Sequence, residues 1–258
     1  MQKESIITIL SSVLLSVIVS TTLAKQTPAT IAPVAPVAQP QATAEVPSNL
    51  DASIENFLKS NPTIIRETLE LAAQKEREEE EKRIAESYKQ NIDELHNIKN
   101  SPYIGPKDAK ITIVEFFDFN CGYCKRVAPA MMQIIKKNPD VRVILKPVAF
   151  LRDTSATAAK ALLAAAEEGK FVEFYESLLT QNGQITETVI FEHIEKAGLD
   201  VAKIKKLMES DKVKKNFEEI AELSRTVQVR GVPTLIINGS PLRAIDEAPI
   251  QDAINNLR

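Results

Sequence analysis

The sequence predicts an α/β fold that carries a block of helices between its strands and is preceded by a helical extension. Three observations lead there. In residues 111–119 the apolar run Ile111, Ile113, Val114, Phe116, Phe117 and Phe119 reads as a buried strand, and a helical pattern follows it without a long loop. A second apolar run, 141–146, is separated from a third, 234–237, by a long stretch whose apolar residues recur at helical spacing. Asn238-Gly239, directly after the third run, is a strong type I′ hairpin signal that returns the chain into a short strand around Leu242.

Composition narrows the function before any motif does. With 258 residues, 44 % of them hydrophobic, the chain exceeds one average domain and can bury a real core. A formal net charge of −3 leaves no basic excess to neutralise phosphates, so no nucleic-acid partner is expected. Two cysteines cannot frame a disulfide scaffold, and a bridge between Cys121 and Cys124 would close so short a loop that it would add little stability. Such a bridge is better explained as chemistry than as a staple.

At the start of the chain, Lys3, an apolar stretch over 6–23 diluted by Ser and Thr, and a small-residue end at Thr22-Leu23-Ala24 read as a secretory signal peptide, residues 1–24, cleaved near Ala24. An uncleaved membrane anchor is the competing reading, because the run approaches spanning length. No cysteine follows it that could be lipidated. Residues 25–47 are Ala/Pro/Val/Gln-rich and aromatic-free, an extended linker.

Residues 48–100 form a helical region. Ser48 offers an N-cap, with Asp51 behind it, ahead of Ile54, Phe57 and Leu58. Asn61-Pro62 ends that helix and starts another, and Ile64, Ile65, Leu69, Ala72 and Ala73 continue an apolar face. Residues 75–83 have no apolar side chain and are held helical by propensity and by pairs such as Glu78 with Lys82 and Glu79 with Arg83. Ile84, Tyr88, Ile92, Leu95 and Ile98 then resume a stripe. Two amphipathic patches thus flank a charged arm, and neither has enough chain to bury itself. The expected partner is a second copy of the chain, making a homo-oligomer; the alternative is that the patches fold back on the rest of the protein.

Gly105-Pro106 punctuates the start of the last region, residues 101–258. The helix after the cysteines contains Pro129, expected to kink it, and Asn138-Pro139-Asp140 marks a turn before the second strand. An alanine-rich helix over 154–168 is followed by helical spacing through Phe171, Phe174, Tyr175, Leu178 and Leu179 and by two or three more helices to Leu223. Val227 and Val229 lead through Gly231-Val232-Pro233 into the third strand, and an amphipathic helix over 246–257 closes the region.

Cys121 and Cys124 sit at the strand-to-helix junction. There, backbone N–H groups of the first turn point at the first sulfur and favour its thiolate, and Cys124, one turn in, is placed to attack a mixed disulfide formed at Cys121, the exposed member. Half a zinc site and two inert core thiols are the competing readings. A tetrahedral site needs two further ligands, and the only histidines, His96 and His193, stand isolated on helical patterns as partly exposed surface residues. Neither a metal nor any other cofactor is expected. Glu115 is an acid among Ile113, Val114, Phe116 and Phe117, and reads either as a solvated edge residue or as a buried functional acid. Asp118 is expected to be exposed, and Tyr123 presents a hydroxyl beside the reactive sulfur.

The pattern E-F-F-D-F-x-C-G-Y-C-K over 115–125, with Val232-Pro233-Thr234 far downstream, resembles the DsbA-like thioredoxin-fold disulfide oxidoreductases over residues 101–258. The resemblance implies a thioredoxin-like fold with a helical insertion at about 152–225. It implies Cys121 as nucleophile, Cys124 as resolving thiol, Pro233 as a cis-proline facing the pair, and Glu115 as a buried proton acceptor for Cys124 with Lys146 balancing its charge. Val232, Gly122 and Tyr123 would meet the client, the backbone of Val232 pairing with an extended segment as an added strand. The expected setting is the periplasm. The expected partners are unfolded or misfolded exported proteins with cysteines and a membrane redox partner, with the N-terminal helices joining copies as in DsbC-, ScsC- and Com-like proteins. Gly122-Tyr123 departs from the proline-first dipeptide of DsbA-type oxidases and looks like DsbC-type isomerases, whereas Val232 before the proline looks oxidase-like. A redox-inert envelope protein using a thioredoxin-like domain as a binding module is the other class of reading.

Overall fold

The computed structural model describes residues 49–258, so the expected signal peptide, the linker and the Ser48 cap lie outside the described residues. Among them no helix is long and apolar enough to cross a membrane. The described chain divides into two units, one ending at Phe57 and the other running from Leu58 to Arg258.

The first unit contributes most of α1, Leu50–Ser60. Its first helical bond runs from the Ser53 N–H to the Asn49 carbonyl, which places the helix start one residue after the cap that the sequence suggests. Leu50, Ile54 and Phe57 are exposed.

In the second unit a five-stranded sheet has the order β1-β3-β2-β4-β5. Strands β2, Ile111–Phe117, and β3, Val141–Pro147, run parallel, and every residue of both is buried. Short β1, Tyr103–Ile104, pairs antiparallel with β3, β4, Thr234–Ile237, pairs antiparallel with β2, and β5, Ser240–Leu242, returns on β4. Asn238 and Gly239 make that return at φ 45° and 79°, the left-handed pair a type I′ turn requires.

Helix α4, Gly122–Lys137, follows β2 and passes through Pro129 without interruption. Five helices then separate β3 from β4: α5, Asp153–Glu167; α6, Phe171–Leu179; α7, Glu187–Lys196; α8, Val201–Met208; and α9, Asp211–Thr226. The alanines of α5 let its neighbours approach closely, and eight of its residues are buried. Helix α10, Glu247–Asn255, closes the chain, inserting Ile250 and Ile254 into the core.

The helical region ahead of the sheet behaves in two ways. Helix α2, Pro62–Gln90, starts with Asn61 at its cap and Pro62 in its first turn, and Ile64, Ile65, Leu69 and Leu71 on it are exposed. The later stripe does the reverse of what the sequence favours and folds back. Tyr88 and, from short α3, Ile92–Leu95, Leu95 are buried in the same core as β2 and β3, with Ile84 and Ile98 packed against it. The hairpin tip explains part of this fit, because a Cβ on Gly239 would come within 3.0 Å of Ile92 Cδ1. Glu80 pairs with Arg230, Glu81 with Arg243 at 2.6 Å, and the Ser87 hydroxyl donates to the Thr226 carbonyl, so the charged arm has partners on the domain. Arg83 pairs with Glu80 rather than with Glu79.

Leu95 is wholly buried, so Leu95→Ala should lower unfolding stability by about 3 kcal/mol in urea titration. An unchanged midpoint would show that the stripe does not belong to the core.

Candidate active site

The site is built where β2 ends. The chain leaves the strand at Phe117, turns through 118–120, and enters α4 with Cys121 as its N-cap residue in extended conformation. The Cys121 N–H donates to the Asp118 carbonyl at 2.9 Å, and the Cys121 sulfur accepts from the Cys124 N–H at 3.4 Å. That sulfur also donates to the Val232 carbonyl at 3.2 Å. Val232-Pro233 is a cis peptide, so the proline expected opposite the cysteines is there, and the carbonyl before it touches the first sulfur.

Cys121 is less open than the sequence reading has it. It is 6 % exposed and Cys124 is 0 % exposed, so the difference in access survives but is small. The extended cap conformation tucks the first sulfur against Val232 instead of projecting it into solvent. Burial pushes the Cys124 thiol strongly up, and the charges of Cys121 and Glu115 push the same way. Tyr123 is well exposed on the first turn, with the Arg126 guanidinium 5.8 Å from its ring centre. Gly122 is also exposed, and a side chain there would meet nothing within 4 Å, so nothing in the backbone calls for glycine.

Glu115 is the buried acid of the two alternatives. It is 0 % exposed, and desolvation raises its pKa from 4.5 to about 7 against the hydrogen bond it accepts from the Tyr175 hydroxyl at 2.8 Å on Oε2. Lys146 does not balance its charge. Register pairs Glu115 with Leu145 and Phe116 with Lys146, so by the alternation of strand side chains the lysine projects from the opposite face of the sheet. There its Nζ donates to Ser101 Oγ at 3.0 Å, and burial lowers its pKa to about 8.

Asp118, expected at the surface, lies in the interior. It is 0 % exposed, and its two oxygens accept from the Asn120 N–H, the Ser155 hydroxyl and the N–H groups of Phe150 and Leu151, all at 2.8 to 3.1 Å. The carboxylate therefore ties the turn before Cys121 to the segment that opens α5. As a result the side chains of Phe150 and Leu151, both exposed, are held beside the cysteine turn. His193 is also buried rather than a surface residue, with Nδ1 3.0 Å from Ser177 Oγ, while His96 is half-buried.

Sequence reasoning missed Tyr175, placed in α6 among core residues, and the double role of Asp118. The available signal for Tyr175 was chemical: a buried tyrosine needs an acceptor for its hydroxyl, and an acid in an apolar strand needs a donor.

A strand-to-helix junction that presents two cysteines to a cis-proline, on a sheet interrupted by a block of helices, defines a thioredoxin-fold protein of the type with a helical insertion. The DSBA-like thioredoxin domain model matches residues 112–256, and the chain belongs to that family. It is similar to the catalytic domain of Proteus mirabilis ScsC, 30 % identical, covering 67 % of this chain and 97 % of that one with a TM-score of 0.61. It is also similar to a thioredoxin-like oxidoreductase from Silicibacter pomeroyi DSS-3, 28 % identical, covering 64 % and 95 % with a TM-score of 0.60. A curated relative, the Na(+)/H(+) antiporter NhaA 3 of Salinispora tropica, is 27 % identical over 137 residues, 52 % of this chain, and the match spans only 21 % of that protein's length.

The raised pKa of Glu115 has a stability consequence with a definite sign. Between its ordinary value of 4.5 and about 7 the folded state holds a proton that the unfolded state releases, so stability falls as pH rises through this window. Glu115→Gln, which carries no charge, should gain on wild type by about 3 kcal/mol between roughly pH 4.5 and pH 7.5 in denaturant titrations. A difference that does not vary with pH would contradict the burial of this carboxyl as an acid near neutrality.

Proposed function

We propose that the chain is a periplasmic protein thiol–disulfide oxidoreductase that forms or rearranges disulfides in exported proteins through Cys121 and Cys124. The single observation that carries this reading is the position of the Cys121 sulfur, at the N-terminus of α4, between the Cys124 N–H and the carbonyl before a cis-proline. Cys121 caps α4, its sulfur takes the Cys124 N–H, and it is the more accessible of the two thiols, which makes it the nucleophile toward a client disulfide. In the oxidising direction a client thiolate attacks Cys121 of the oxidised pair, and Cys124 leaves. Cys124 resolves the same mixed disulfide in the opposite direction.

Client recognition in this reading uses backbone and apolar surface. The Val232 main chain is beside the reactive sulfur and precedes β4, so an extended client segment can pair there as a strand. Exposed Tyr123, Phe150 and Leu151 surround the cysteine turn and suit the apolar side chains of an unfolded segment more than a particular sequence. The family membership and the likeness to the ScsC catalytic domain support this class of chemistry, and the secretion signal read in residues 1–24 supports the compartment.

Two experiments test it. Brief iodoacetamide treatment of the reduced protein should label Cys121 and spare Cys124, and Cys121→Ser should abolish insulin reduction and oxidative refolding of a reduced client. Label mainly on Cys124, or equal rates for the variant, would defeat the assignment.

The reading extends to assembly. Exposed Ile64, Ile65 and Leu69 on α2 form the patch proposed to join copies of the chain, now without the docked stripe, and Ile54 and Phe57 on α1 are exposed within their own unit. Deleting residues 48–71 should give a monomer in light scattering that keeps dithiol oxidation and loses isomerisation of scrambled substrates. A full chain that is already monomeric would remove this part of the reading.

A further inference from the structure

The buried acid of β2 has a hydrogen-bond partner in the helical insertion. Glu115, Tyr175 and Cys124 are each 0 % exposed and lie on three different elements, β2, α6 and α4. The Tyr175 hydroxyl donates to Glu115 Oε2 at 2.8 Å, while Oε1 is buried and accepts no hydrogen bond among the described residues. The strand neighbours of Glu115 are Leu145 and Leu235, both apolar, and Lys146 projects from the other face. Burial and the Tyr175 hydroxyl from α6 act on the carboxyl, its charge in turn reaches Cys124 in α4, and Tyr175 also feels the charges of Cys124 and of Glu176 on its own helix.

We propose that Tyr175 is a positioning residue for the Cys124 proton: its hydroxyl occupies Oε2 of Glu115, keeps the carboxyl available in its ionised form, and leaves Oε1 as the oxygen that exchanges a proton with the Cys124 thiol. This rests on the thiol–disulfide reading of the pair. When Cys124 attacks the mixed disulfide at Cys121, its S–H proton passes to Oε1 of the carboxylate. The Cys121–Cys124 bond then forms, the bond from Cys121 to the client sulfur breaks, and the client departs as a thiolate carrying the electron pair. In the reverse direction a client thiolate attacks Cys121, and the Cys124 thiolate takes the proton back from the carboxylic acid. In both directions the pair and the client exchange two electrons, and no other reactant is needed.

The physical case is that two opposing effects meet at Glu115. A buried carboxyl with no cation beside it is driven toward its neutral form, which cannot accept a proton. A hydroxyl donor stabilises the ionised form, and the balance leaves the group titrating at about 7, where donor and acceptor forms coexist near neutral pH. Burial and the Glu115 charge both raise the Cys124 thiol, so without a nearby acceptor it would stay protonated and unreactive. Lys146, on the far side of the sheet, cannot replace the tyrosine in this task.

The test separates positioning from folding. The reduced full-length protein is mixed with oxidised glutathione, Cys121 takes up one glutathione, and acid quench with intact-mass analysis follows the release of that glutathione by Cys124. In wild type the release rate should rise with pH through one step at about 7. In Tyr175→Phe the step should move up by about one unit, with roughly tenfold slower release at about pH 6 and convergence with wild type above about pH 9, while alkylation of Cys121 is unchanged. In a Glu115→Gln background, adding Tyr175→Phe should have no further effect on the profile. A Tyr175→Phe profile that superimposes on wild type, or is lowered by one factor at every pH, would overturn the inference and leave the thiol–disulfide reading standing. A pH effect of Tyr175→Phe that persists in the Glu115→Gln background would also overturn it. A wild-type chain whose Cys121 never takes up glutathione would overturn the thiol–disulfide reading itself, and this inference with it.

Discussion

Burial of β2 on both faces, with β3 parallel on one side and β4 antiparallel on the other, is the constraint on which the site depends. A strand with seven buried residues must sit inside the sheet, and its backbone must be satisfied by neighbours along its length. Because β4 runs antiparallel, its first residue Thr234 lies opposite Phe116, near the last residue of β2. The segment that leaves β2 and the segment that enters β4 therefore emerge at the same end of the sheet. Cys121 follows the first and Val232-Pro233 precedes the second, so pairing alone brings together residues more than a hundred positions apart in sequence. The 3.2 Å contact between the Cys121 sulfur and the Val232 carbonyl is the local result.

The same strand imposes the electrostatics. An acid and a lysine on adjacent strands suggest a buried ion pair, but the pleat sends their side chains to opposite faces, so each meets the cost of burial separately. Glu115 responds by moving up to about 7 and Lys146 by moving down to about 8. A buried ion pair would have held the carboxylate ionised throughout the neutral range and given it little capacity to take or return a proton. In the proposed proton exchange, separation of the two groups by the sheet is thus what would let the acid serve Cys124. Asp118 illustrates the opposite outcome three residues later: four donors surround its two oxygens, and this carboxylate is structural.

Those contrasts also mark what could be read from the sequence. The strands were legible because apolar β-branched residues repeat within short runs, and the hairpin because Asn-Gly tolerates two left-handed residues in succession. The cysteine junction was legible because a helix N-terminus follows directly from strand and spacing. Register was not legible, and register decides that Lys146 and Glu115 diverge. Nor were the partners of Asp118, which come from residues 150–155, or the donor to Glu115, which comes from a helix of the insertion. Periodicity reports that a face is buried without saying against what. The stripe from Ile84 to Ile98 and the patch at Ile64, Ile65 and Leu69 carry the same kind of signal, yet the first enters the core through Tyr88 and Leu95 and the second is exposed.

That division within α2 bears on how an assembly could work. The helix is continuous from Pro62 to Gln90, and its C-terminal end is fixed by Tyr88 in the core and by Glu80 and Glu81 reaching Arg230 and Arg243. Arg230, Arg243 and Glu81 are exposed and Glu80 is half-buried, so these pairs are weak and the anchor is chiefly the apolar burial of the stripe. From Ile64 to Tyr88 the helical rise amounts to roughly 36 Å. A copy bound at the exposed end is then carried on a lever whose other end belongs to the catalytic domain. In the proposed assembly, the direction of the lever would set the distance between active sites, and the docked stripe would set that direction. Loss of the stripe would leave the exposed patch able to bind while uncoupling it from the cysteines, so in that proposed assembly the residues that hold the arm down would matter to isomerisation as much as those that join the chains.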